Sequence, residues 1–152
     1  MRDSRFDAAQ NKRHLALVDL YFERVASGDP EIASLFADDA VWVTPASSPL
    51  AGPFEGKAAV LEVMAGGVGL YDSNYPLEIR QDAAAATGEF VFVEMTMTAR
   101  TRQGTPYENR YVFVFTIRDD LIVAVHEHLD TFYAQRLLFD PVGHHSPLDA
   151  AD

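Results

Sequence analysis

An α+β domain, with helices first and a curved antiparallel or mixed sheet wrapped around them afterwards, is the fold class this sequence predicts. Three observations carry it. Apolar residues recur at helical spacing only in the first half of the chain. Runs of β-branched and aromatic residues bounded by turn residues fill the second half. The length, 152 residues at 48% hydrophobic and 23% charged, suits one core rather than two. Helices segregated from strands argue against the alternating pattern that builds a parallel sheet.

Each element has its own reason. Leu15, Val18, Phe22 and Val25 line one face of an amphipathic helix from about Ser4 to Ala26, closed by Gly28. Asp29 followed by Pro30 puts an N-cap and a first-turn proline in order, starting a short second helix through Leu35 and Phe36. AVWVT reads as a strand, and TPASSPLAGPFEG, rich in proline and glycine, as a loop. A helix follows from about Gly56 to Met64, and GGVG is expected to stop it. PLEIRQ, EFVFVEMTMTAR, YENRYVFVFTIR and LIVAVHEHLD then read as strands, with QGTP and RDD as turns between them. Residues 1–140 form the expected domain and 141–152 a loosely held tail whose His144 and His145 are expected in solvent.

Charge narrows the function. Lys plus Arg number 12 against 23 Asp plus Glu, a net charge of -11 that repels phosphate backbones and anionic headgroups, so neither nucleic acid nor membrane is an expected partner. No cysteine is present, which removes thiol nucleophiles, disulfides and cysteine-ligated zinc. The N-terminal stretch lacks the apolar core of a signal peptide and no run approaches a membrane span, so a cytoplasmic location is the expectation. No Gly-rich phosphate loop or recognisable Ser-His-Asp context occurs.

Two acids interrupt apolar strand faces. Side chains alternate along a strand, so the odd positions of LIVAVHEHLD are Leu121, Val123, Val125, Glu127 and Leu129, a core-like set holding one carboxylate. His126 and His128 fall on the other face, where packing or dimer contacts are the expected use and no metal site is expected. In EFVFVEMTMTAR the even set Phe90, Phe92, Glu94 repeats the pattern, although the odd set with Met95 and Met97 is apolar too. Between them, Tyr107, Asn109, Tyr111, Phe113 and Phe115 share one face and read as a polar-tipped hydrophobic wall. If the strands are neighbours in register, Glu94 and Glu127 flank that wall at about 10 Å, and a one-residue slip would send one of them outward. A carboxyl buried there loses solvation of its charged form, which suits general acid or base work. The alternative is an ion pair with Arg100, Arg110 or a histidine. Tyr21 and Trp42 serve either as packing or as pocket groups.

LYFERVASGD, FADDAVWVTP, FEGKAAVLEVM and YENRYVFVFTIRDDLIVAVHEHLD, taken in order, resemble the SnoaL-like branch of the nuclear transport factor 2-like superfamily over about residues 10 to 138. Ketosteroid isomerases, polyketide cyclases, limonene epoxide hydrolase and the phenazine-biosynthesis A/B proteins belong to that superfamily. The resemblance implies a cone-shaped α+β barrel with a hydrophobic pocket at its open end, usually in homodimers, without a cofactor. It makes Tyr21 similar to the isomerases' oxyanion-hole tyrosine, puts Thr44 where their base aspartate stands and Phe113 where their second oxyanion acid stands. Glu127 matches the last-strand acid of the epoxide-hydrolase and phenazine branches, Glu94 resembles an acid of the phenazine proteins, and Tyr107 the tyrosine that opens their central strand.

The expected function is therefore an isomerase, cyclase, dehydratase or epoxide hydrolase acting on a hydrophobic oxygenated metabolite. Glu127, Glu94 and Tyr21 are the expected catalytic groups, with Trp42, Thr44, Tyr107, Asn109, Tyr111, Phe113 and Leu129 around the substrate. A non-catalytic ligand-binding or accessory dimer of the same fold is the alternative. Val112, Val114 and Thr116 on the opposite face need cover and predict a homodimer.

Overall fold

The computed structural model describes residues 7–150. Helix α1 spans Ala8–Ser27; the expected start at Ser4 lies outside the described residues. Asp7 caps it, its carboxylate accepting from the backbone N–H groups of Ala9 and Gln10 at 3.0 and 3.1 Å, and Gly28 ends it at φ 66°, a left-handed turn that glycine adopts without a Cβ clash. His14, Val18, Tyr21 and Phe22 are its buried stripe, spaced for one helix face. A 3₁₀ turn, Pro30–Leu35, capped by Asp29, leads into strand β1, Phe36–Val43. After the loop come the two-residue strand β2, Phe54–Glu55, and helix α2, Lys57–Val68.

Helix α2 does not stop at the glycines. It runs through Gly66 and Gly67 to Val68, because Val63, Met64 and Gly67 turn half-buried toward the interior and packing there overrides the low helix propensity of glycine.

Four long strands complete the chain: β3 (Glu78–Thr87), β4 (Phe90–Arg100), β5 (Pro106–Arg118) and β6 (Leu121–Leu129). The sheet order is β2-β1-β6-β5-β4-β3, antiparallel throughout except where β1 runs parallel to β6. Strand β3 is longer than PLEIRQ foretold. Its alanine run pairs with β4 residue by residue, so ladder bonding fixes a strand that β-propensity would not. Asp119 and Asp120, at φ 50° and 58°, make the two-residue turn between β5 and β6, the double left-handed geometry that suits tight hairpins.

Helix α1 crosses β3 and β4, and α2 lies on β1 and β2, so both helices cover one concave face. Tyr21, Phe22, Phe36, Phe113 and Phe115 form an edge-to-face and stacked aromatic cluster between α1 and the sheet. Each such pair contributes about 0.5–1.5 kcal/mol beyond its area burial. This is the α+β sheet wrapped around helices that the pattern of apolar residues predicts.

After β6 the chain forms a short helix α3, Thr131–Ala134, that widens into a π turn over Gln135–Phe139 and brings Ala134, Leu138 and Phe139 against Tyr107. The segment beyond is tied down rather than loose: the Gln135 side-chain amide donates to the carbonyl of His144 at 2.8 Å, and the Ser146 hydroxyl donates to the carbonyl of Ser47 at 2.7 Å. His144 and His145 are exposed. No helix among the described residues is long and apolar enough to cross a membrane.

Candidate functional site

A cavity of about 130 Å³ opens between α1, α2, the concave sheet face and the turn after β6. An apolar cavity of about 150 Å³ admits benzene, so this one has room for a ligand of about one ring. Its wall is apolar except at a few points. Val25, Val63, Met64, Ile79, Met95 and Met97 make the greasy part, and Tyr21, Trp42, Thr44, Tyr71, Tyr111 and Glu127 bring polar atoms.

Glu127 reaches the cavity because it alternates with Val125 and Leu129 and pairs with the inward Phe113, while a bulge earlier in the strand resets which residues there face the core. The β5–β6 register shifts between Ile122 and Ala124, leaving Val123 as the extra residue. Ile122 and Val125 are therefore both fully buried, and the inward set is Ile122, Val125, Glu127, Leu129, not the unbroken odd series. His126 and His128 point outward and are exposed.

Glu127 is half-buried and the exposure it keeps is toward the cavity. Burial pushes its carboxyl above the ordinary glutamate range, and one hydrogen bond, from the Trp42 indole N–H to Oε2 at 3.0 Å, partly offsets that by stabilising the anion. The other oxygen, Oε1, has no protein partner among the described residues. Trp42 comes from β1, and it stands against Glu127 only because β1 and β6 are parallel neighbours with Trp42 beside Val125.

Tyr21 lines the same cavity and is 3% exposed, and its hydroxyl makes no hydrogen bond among the described residues. Burial first, and the Glu127 charge second, raise its pKa far above a phenol's, so it is a fixed O–H donor. Thr44 lines the wall too, but its hydroxyl is spent: it donates to the Leu50 carbonyl at 2.6 Å and accepts from the Gly52 N–H at 2.9 Å. Trp42, Tyr111, Phe113 and Leu129 line the cavity as their faces imply.

Three expectations need correction. Glu94 is exposed and lies on the convex face, because β4 turns its odd residues inward: Val91, Val93 and Met95 are buried while Phe90, Phe92 and Glu94 are not. Glu94 pairs with Val112, whereas Glu127 pairs with Phe113, so the acids sit on opposite sides of the sheet and no carboxylate pair exists. Tyr107 and Asn109 face inward but stand beyond the cavity, under α3, where the Asn109 amide donates to the Tyr107 hydroxyl at 3.0 Å.

Tyr71 escaped sequence reasoning. It follows α2 in a segment without periodicity, and a single bridge to Thr101 past the end of β4 holds it at the cavity. Its hydroxyl lies 3.4 Å from that of Tyr111. Met95 and Met97 were legible as an apolar face but gave no sign that this was the concave one.

Residues 18–125 match the family model for the SnoaL-like domain. The chain belongs to the SnoaL-like family. Among solved structures, this SnoaL-like protein is similar to an NTF2-like protein from Burkholderia xenovorans LB400, at 26% identity over 84% of this chain and 97% of that one, TM-score 0.69. An NTF2-like protein of unknown function from Burkholderia pseudomallei K96243 is 23% identical over 83% and 97%, TM-score 0.72. A hypothetical protein with a ketosteroid isomerase-like fold from Catenulispora acidiphila DSM 44928, in complex with trimethylamine, is 16% identical over 74% and 83%, TM-score 0.63. The last two show the fold alone. No curated protein matches the chain.

Proposed function

We propose that this SnoaL-like protein is an enzyme in which Glu127 moves a proton on a small hydrophobic oxygenated metabolite. The observation that carries this reading is a single carboxyl inside a largely apolar cavity, with one oxygen held by Trp42 and the other without a partner among the described residues. Burial brings its proton affinity toward neutral pH, where an acid or base is most useful. Tyr21 supplies an O–H that can steady a developing charge on a substrate oxygen. Isomerisation, cyclisation, dehydration and epoxide opening all use these two roles, and none needs a cofactor when Glu127 itself carries the proton.

Turnover measured on a panel of small enones, epoxides and hydroxyketones tests the proposal. Glu127→Gln should lower the rate on any accepted substrate by about 10²–10⁴-fold, with the circular dichroism spectrum unchanged. Wild-type turnover in the variant would reject Glu127 as the proton carrier.

A second reading, a ligand-binding or accessory protein without catalysis, is favoured by Thr44. The position that resembles an isomerase's base aspartate holds a hydroxyl already engaged with Leu50 and Gly52. Ligand binding that is insensitive to Glu127→Gln, without turnover of any member of the panel, would favour it. On either reading we place a second copy of the chain on the convex face of the sheet, where Phe90, Phe92 and Val112 are exposed side by side on paired strands.

A further inference from the structure

Among the described residues the cavity wall contains one carboxyl, that of Glu127, and no lysine, arginine or histidine. Elsewhere the acids are better provided. Asp29, Asp38, Asp82, Glu89 and Asp140 each have an arginine or lysine nitrogen within 3.7 Å. Acids that water reaches are thus paired, whereas the acid in the cavity has only the Trp42 indole N–H, at 3.0 Å on Oε2. No positive side chain acts on its proton affinity: burial raises it and the indole lowers it. Holding a carboxylate out of water without a counter-charge is costly, and a cation brought against it removes that cost.

The rest of the wall suits a cation too. Aromatic rings run from α1 to β1 by way of β5: Tyr21 to Phe22 at 5.0 Å, Phe22 to Phe113 at 6.1 Å, then Phe113 to Trp42 at 5.6 Å and to Tyr111 at 6.1 Å between centroids. All five line the cavity. The charge of Glu127 is felt at Tyr21 and at Tyr71, so rings stand close to the carboxyl from two elements. Aromatic faces attract an organic cation, more strongly where water is excluded, and tryptophan does so best. At a larger scale the net charge of -11 draws cations toward the molecule. A neutral ligand would use none of these three features.

We infer that the cavity takes a small organic cation, a protonated amine on a one-ring hydrophobic body, with its ammonium on Glu127 Oε1 and its carbon groups against the rings. This rests on the cavity being a ligand site, as proposed above, and narrows its ligand to metabolites that carry a basic nitrogen. Pairing keeps Glu127 ionised in the complex, which is the form a base needs. Binding itself does not require turnover.

Benzylamine and benzyl alcohol share a shape and differ in charge at neutral pH. Both are titrated calorimetrically into the full chain and into its Glu127→Gln variant. Wild type should bind the amine more tightly than the alcohol at pH 7. Glu127→Gln should weaken benzylamine by about ten- to a hundredfold, the worth of a hydrogen bond between charged groups, and leave benzyl alcohol near its wild-type affinity. A cation favours the ionised carboxyl, and an alkylammonium keeps its proton up to pH 8. Benzylamine affinity in wild type should therefore climb from pH 4 to pH 8, by up to about tenfold per unit below the midpoint of the acid, while that of benzyl alcohol does not climb.

Equal affinity for the two probes in wild type, equal loss of both in the variant, or a benzylamine affinity flat in pH overturns the inference; each leaves the turnover test of Glu127 untouched. The pH series decides in wild type alone, without any need for the variant to fold. Failure of wild type to bind either probe overturns the inference together with the cavity as a ligand site.

Discussion

At the scale of single residues, Glu127 and Trp42 make a pair whose two effects on the acid oppose each other. Burial raises the carboxyl's midpoint and the indole N–H lowers it, burial being the larger. Trp42→Phe removes only the second, so the midpoint of Glu127, followed by carboxyl ¹³C shifts, should move further up; a downward move would mean the indole does not stabilise the anion. Stability follows the same sign. An acid whose folded midpoint exceeds its unfolded one binds more protons when folded, so stability is present at low pH and is lost as pH rises between the two midpoints. Each pH unit separating them is worth about 1.4 kcal/mol, or about 3–6 °C in melting temperature for a domain of this size. Glu127→Gln should therefore melt above wild type at pH 8 and converge with it at pH 4. The chemical identity of this residue was legible because a lone acid in an apolar series is rare; the loss of Glu94 was not, because β4 is apolar on both faces and alternation alone gives no sign of which is concave.

At the scale of elements, caps and bulges decide what the strands and helices present. Gly28 sits at φ 66° with open space around its Cα, so Gly28→Ala meets backbone strain and no steric clash. A loss of about 1 kcal/mol in urea unfolding is expected, with ligand binding intact. Helix α1 and the strands of the second half followed from periodicity and turn residues. The continuation of α2 through Gly66 and Gly67 and of β3 through its alanines did not, because distant packing and ladder pairing hold them. The bulge at Val123 was equally hidden. Without its extra residue, Ile122 and Glu127 would face opposite sides, and the strand could not place a core residue at one end and the cavity acid at the other.

At the scale of the whole molecule, the sheet has one face filled by helices and one left bare. Phe90, Phe92 and Val112 remain 44%, 42% and 39% exposed, with Glu94, Arg110, His126 and His128 exposed on the same face. Phe92→Asp should convert a dimer to a monomer in light scattering while leaving probe binding in the cavity intact; a wild-type monomer would remove the proposed second copy. The parallel pairing of β1 with β6 has a consequence in time as well as in space. Trp42 and Glu127 are separated by 85 positions, and the strands carrying them meet only across the last pairing the chain can make. Contacts between residues so far apart close late and slowly in folding. A growing chain lacking β6 thus carries a bare indole and no acid, and the Trp42–Glu127 pair comes into being together with the complete sheet. Exchange of the Trp42 indole hydrogen should then report global unfolding and not local opening, making this one side chain a clock for the integrity of the entire domain.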